Sequence, residues 1–86
     1  MTRYDKIVTR ILRGTSDADI RFEDITGLLR HLRFDERRRG SHHIFTRFDV
    51  VEILNLQPRG ANAKPYQVRQ VRQIIVKYKL GGPGAE

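Results

Sequence analysis

The sequence predicts an α+β domain in which a three-stranded antiparallel sheet packs one face on helices. Three observations carry this. Apolar residues recur at helical spacing in two early segments and one late segment. Between them, short runs rich in β-branched and aromatic residues are broken by Gly and Pro. The chain has 86 residues, and a chain of that size buries roughly 60% of its unfolded surface, enough for one small core.

Tyr4, Ile7, Val8, Ile11 and Leu12 mark the first helix, with Thr2 as its cap, Asp5 in its first turn and Gly14 as its stop. Thr15, Ser16 and Asp17 read as a loop. Phe22, Ile25, Leu28, Leu29 and Leu32 mark the second helix. Gly27 weakens its interior by about 1 kcal/mol relative to Ala and leaves room for another element to come close. After Arg33 the period changes. Residues 34–38 read as a short edge strand, Arg39-Gly40 as a tight turn, and residues 42–48 and 51–56 as two further strands. Alternation puts His42, Ile44 and Thr46 on one face and His43, Phe45 and Arg47 on the other. Leu54 and Leu56 likewise oppose Ile53 and Asn55. Pro58, Gly60 and Asn62 mark a loop that carries Arg59 and Lys64. Pro65 opens the last helix, whose stripe is Val68, Val71, Ile74, Ile75 and Tyr78. Arg69, Arg72, Gln73 and Lys77 fall off that stripe, towards solvent. The tail, residues 81–86, is expected to be disordered.

Charge narrows the function. The net charge is +7, and it is segregated: residues 1–29 are neutral, 30–47 carry +4, and 58–79 carry +6 with no acid. A concentrated basic excess fits a polyanionic partner. There are no cysteines, which removes disulfides, thiolate metal sites and a cysteine nucleophile. No apolar run approaches the roughly 20 residues of a membrane span, and no apolar stretch of a secretory signal follows Met1, so a cytoplasmic location and no membrane partner are expected.

The candidates for chemistry are few. His31, His42 and His43 are the histidines, and imidazole exchanges a proton near neutral pH. His42 and His43 are adjacent on a strand and so face opposite sides. They lack the spacing for joint metal ligation, so no metal or other cofactor is expected. A strand histidine is commonly structural or merely exposed. Placed beside a phosphodiester, one histidine contributes about 10²–10⁴-fold by proton transfer, and arginines hold phosphate. In RNA the 2′-hydroxyl serves as internal nucleophile, so neither a protein nucleophile nor a metal is required. Ser41 lies beside His42, with no acid placed to orient that histidine. A turn hydroxyl is its simpler role.

The run Gly40-Ser41-His42-His43-Ile44-Phe45, preceded by Leu28-Leu29-Arg30-His31-Leu32-Arg33-Phe34 and followed by Lys64-Pro65-Tyr66-Gln67-Val68-Arg69-Gln70-Val71-Arg72, resembles the HicA toxins of HicA–HicB toxin–antitoxin systems. The resemblance covers residues 22–80 and leaves 1–21 as an N-terminal helical extension. It implies a fold like a double-stranded RNA-binding domain, here with an extra N-terminal helix. It implies an mRNA-cleaving endoribonuclease toxin, metal-independent and held inactive by a HicB-like antitoxin. The catalytic histidine of the family falls on His42, with His43 as the rival. Gly40 and Ser41 then shape the turn that presents it, and Arg37, Arg38, Arg39, Lys64, Arg69 and Arg72 bind RNA phosphate. Many members carry a Val-Pro strand followed by a His-x-Gly-Lys loop, where this chain has Leu54-Asn55-Leu56-Gln57-Pro58-Arg59-Gly60. Two other readings stand beside the nuclease: a non-catalytic RNA-binding module, and a basic surface that exists for an acidic antitoxin.

Overall fold

Thr2 closes the amino end of the first helix by a reciprocal capping box. Its hydroxyl accepts from the Asp5 N–H at 3.2 Å, and its own N–H donates to Asp5 Oδ2 at 2.9 Å. The computed structural model describes residues 2–81. In it α1 (Arg3–Arg13) ends at Gly14, which sits at φ +72°. Thr15 and Ser16 form a loop as expected, and a 3-10 turn (Asp17–Asp19) follows and leads into α2 (Phe22–His31). Then come β1 (Asp35–Arg39), β2 (His42–Arg47) and β3 (Val50–Leu56), paired antiparallel in the order β1-β2-β3. A tiny hairpin, β4 (Pro58–Arg59) and β5 (Asn62–Ala63), stands where the sequence predicts a loop, and α3 (Pro65–Tyr78) closes the domain. The expected tail disorder concerns residues of which 82–86 lie outside the described ones.

The helices lie on one side of the sheet: α3 packs on β3, and α1 packs on α2 and α3. Ile7, Val8 and Ile11 of α1 share a single core with Ile25, Leu28 and Leu29 of α2, Phe45, Leu54 and Leu56 of the sheet, and Val68, Val71, Ile74 and Ile75 of α3. Ile7, Val8, Ile11 and Ile20 of the N-terminal segment thus lie in the shared core. Burying each such side chain favours folding by roughly 1.5–3 kcal/mol. Gly27 does admit a close neighbour: a Cβ there would lie 3.3 Å from the Tyr4 ring. That ring stacks on His31, with centroids 4.5 Å apart, so the third histidine serves the α1–α2 contact.

The other sheet face is open. It carries Asp35, Arg37 and Arg39 from β1, His42, Ile44 and Thr46 from β2, and Val51, Ile53 and Asn55 from β3, in the alternation expected of a half-covered antiparallel sheet. Gly40-Ser41 make a two-residue turn between β1 and β2, with Gly40 at φ +58°. Glycine at the first central position is what a turn of this length and hand requires.

Candidate active site

The two adjacent histidines part company at the β2 backbone. His43 points inward. Its Nδ1 lies 2.7 Å from Glu36 Oε2 on β1, whose other oxygen accepts from Arg30 Nη1 of α2 at 2.7 Å. Its ring meets the Phe22 ring edge-on at 4.9 Å, and only 15% of its side chain is exposed. This polar clip fastens the sheet to α2. Burial raises the Glu36 pKa, but the hydrogen bonds from His43 and Arg30 outweigh it and hold the carboxyl below the usual range.

His42 points outward and is exposed. Its Nδ1 lies 3.0 Å from Asn55 Oδ1 on β3. Arg39 is its partner across the β1–β2 ladder, and Arg37 is the partner of Ile44. Beside them Arg37, Arg39, Ile44, Thr46 and Ile53 line a shallow depression of about 430 Å³ with an aliphatic floor and guanidinium walls. Ile53 is 67% exposed, so part of that floor is presented to solvent. The turn is tied down on its other side. Gln57 Nε2 donates to Ser41 Oγ at 2.8 Å, and Lys64 Nζ donates to Gln57 Oε1 at 3.2 Å. The Gln57 peptide is gripped by Gln67, which is wholly buried: its amide donates to Gln57 O at 3.1 Å and accepts from Gln57 N at 2.9 Å. Ser41 and Lys64, far apart in sequence, therefore stand at one end of the sheet, with His42 next to Ser41.

The cations singled out in the sequence do not all gather there. The run Arg37-Arg38-Arg39 is split by strand alternation, since Arg38 pairs with His43 and belongs to the other face. Arg72 does not run to solvent as its helical position suggests. It is half-buried, and it donates to both carboxylate oxygens of Asp17 and to the Ile11 carbonyl. Arg69 lies on the same side of α3, close enough to contribute to the lowering of the Asp17 pKa, a shift set first by the hydrogen bond from Arg72. Neither brings charge to His42. Elsewhere acids are matched with cations: Arg3 with Asp24, Arg21 with Glu23, Arg47 with Asp49, and Lys77 with Glu52. Lys77 and the Tyr78 hydroxyl hold Glu52 down to about 2, which commits Tyr78 to the fold. Arg37, Arg38 and Arg39 have no carboxylate within salt-bridge distance among the described residues. The side chains of Arg37, Arg38 and Arg39 are thus available to an anion.

Asn55, Gln57 and Gln67 are the residues that sequence reading passed over as site members. Alternation already put Asn55 opposite Leu54 and Leu56. What it lacked was the β2–β3 pairing that sets Asn55 beside His42. Among the described residues no three or more His, Cys, Asp or Glu side chains converge as metal ligands, and no helix is long and apolar enough to cross a membrane. No family model, curated protein or solved structure matches the chain.

Proposed function

We propose that this chain is a metal-independent endoribonuclease that cuts mRNA, the toxin of a toxin–antitoxin pair, with His42 as its proton-transfer group. The observation that carries the reading is the open sheet face. There an exposed imidazole stands beside two guanidinium groups without acidic partners, Arg37 and Arg39, and an aliphatic floor. With the Asn55 oxygen on Nδ1, Nε2 is the free acceptor. It takes the proton of a ribose 2′-hydroxyl as that oxygen attacks the adjacent phosphorus. The P–O5′ bond breaks, the 5′-oxygen takes a proton from solvent, and a 2′,3′-cyclic phosphate and a 5′-hydroxyl result. Arg37 and Arg39 stabilise the charge that builds on the phosphoryl oxygens. Because the nucleophile belongs to the RNA, the step needs no metal.

The order α2, β1, β2, β3, α3 supports a fold like a double-stranded RNA-binding domain, with α1 as the added helix. His42 is preferred over His43 because His43 is engaged by Glu36 and Phe22. A HicB-like antitoxin that presents acidic groups to Arg37 and Arg39 would silence the site by covering it.

The test is cleavage of single-stranded RNA in the presence of a chelator by wild type, His42→Ala and His43→Ala. Loss of cutting in His42→Ala, with RNA affinity retained, is expected. His43→Ala should lower stability and keep activity per folded molecule. Full activity in His42→Ala overturns the assignment. RNA binding with no cutting by folded wild type would instead establish the non-catalytic binding module, which the same unpaired arginines also favour.

A further inference from the structure

We infer that Asn55 is a positioning residue: it fixes His42 in the tautomer that carries hydrogen on Nδ1 and leaves Nε2 as the outward-facing base. Its consequence for cleavage rests on the function proposed above, but its geometry does not. A neutral imidazole exchanges between two tautomers, and the hydrogen bond at one nitrogen decides which is held. Asn55 Oδ1 lies 3.0 Å from His42 Nδ1, and a carboxamide oxygen only accepts. Nδ1 therefore donates, and the lone pair is on Nε2.

The framework makes this contact reproducible. Asn55 is the ladder partner of Ile44, so it sits diagonally from His42 on the same face. Its flanking residues Leu54 and Leu56 are buried and paired with Phe45 and His43. The side chain cannot leave the open face without dismantling that packing. The residue type also suits the site. The inner histidine has a carboxylate, Glu36, at the same nitrogen. On the outer face a neutral amide orients the ring without placing a negative charge where phosphate must bind.

The test is nitrogen-15 NMR of the histidine side chains in wild type, Asn55→Ala and Asn55→Asp, read above the histidine titration, together with RNA cleavage. Wild type should show His42 mainly as the Nδ1–H form. Asn55→Ala should shift the tautomer ratio about fivefold towards Nε2–H, with His43 signals unchanged as the check on folding. Cleavage should fall about twofold to fivefold, as the population of the Nδ1–H form falls, while RNA affinity holds. Asn55→Asp keeps the acceptor and should restore the tautomer while weakening RNA binding. A wild-type His42 mainly in the Nε2–H form, or a ratio that Asn55→Ala leaves unmoved, overturns the pairing. A shifted ratio with undiminished cleavage overturns the positioning role. If wild type cuts no RNA at all, the nuclease reading fails, and the tautomer measurement still decides what Asn55 does.

Discussion

Arg72 grips Asp17 with both prongs of its guanidinium. Nη1 reaches Oδ1 at 2.9 Å and Nη2 reaches Oδ2 at 3.0 Å, and Nη1 also donates to the Ile11 carbonyl at 3.0 Å. One side chain of α3 thereby holds the 3-10 turn and the carboxyl end of α1, where Ile11 is one of the last carbonyls of the helix. Neither partner is more than about a quarter exposed, so the pair is worth more than a surface ion pair and less than a fully buried one. Arg72→Met should cost about 1–3 kcal/mol in urea denaturation. Asp17→Asn combined with it should cost less than the two single changes together. RNA affinity per folded molecule should not change.

Acid should weaken the fold through carboxylates held low in the native state, Asp17 and Glu36 among them beside Glu52. Asp17 is held below its ordinary range by the hydrogen bond from Arg72. Glu36 is lowered as well, because His43 and Arg30 overcome the upward push of burial. A carboxyl whose folded pKa is depressed releases its proton more readily in the native state than in the unfolded chain. The stability it contributes is fully present above its unfolded value, around pH 4–4.5, and is lost as pH falls through the folded one. Melting temperature should therefore be insensitive to these two groups between about pH 7 and 5 and should drop below about pH 4. Glu36→Gln should lower it at neutral pH and make the acid drop shallower, as calorimetry across that range would read.

Two helices end on residues of the wrong shape. After α2, Arg33 N–H donates to Arg30 O at 3.0 Å and Phe34 N–H to Leu29 O at 3.0 Å; after α3, Lys79 N–H donates to Val76 O at 3.4 Å and Leu80 N–H to Ile75 O at 2.9 Å. Both are left-handed helix stops of the kind that favours glycine, yet Arg33 sits at φ +69° and Lys79 at φ +55°. A side chain in this region costs about 1–2 kcal/mol, partly offset by the larger unfolded-state freedom of glycine. Arg33→Gly and Lys79→Gly should each raise stability by about 0.5–1 kcal/mol in denaturant titration, and the two gains should add.

Charge on the hairpin should act by face. Arg37→Ala and Arg39→Ala should each weaken RNA binding and reduce the slope of log affinity against log salt by about 0.7. Arg38→Ala, on the face that carries His43, should leave the slope near its wild-type value. Fluorescence anisotropy titrations at three salt concentrations would separate the three.

The helices, the Thr2 cap and the strand faces were legible in the sequence because they follow local patterns: Ile7 and Ile11, Thr2 ahead of the first helix, and the opposition of His42 and His43 all follow from spacing, whereas the left-handed stops at Arg33 and Lys79 do not. The fate of each arginine was not. Arg72 and Asp17 are 55 residues apart, and no local pattern reports that pairing. The β4–β5 hairpin has two residues per strand, too few to show a period. Asn55 escaped notice because its place beside His42 depends on the β2–β3 pairing, which shifts between Phe45 and Arg47.

The two-residue turn at Gly40-Ser41 and the burial of Phe45 together select which of the two adjacent imidazoles is exposed. A one-residue slide of β2 would bring His43 and Phe45 to the surface and force His42, Ile44 and Thr46 against the helices. Phe45 is completely buried, so the slide would expose a large aromatic ring and dissolve the Glu36 clip at the same time. A core residue three positions along the chain from His42 thus acts as selector between two chemically identical neighbours.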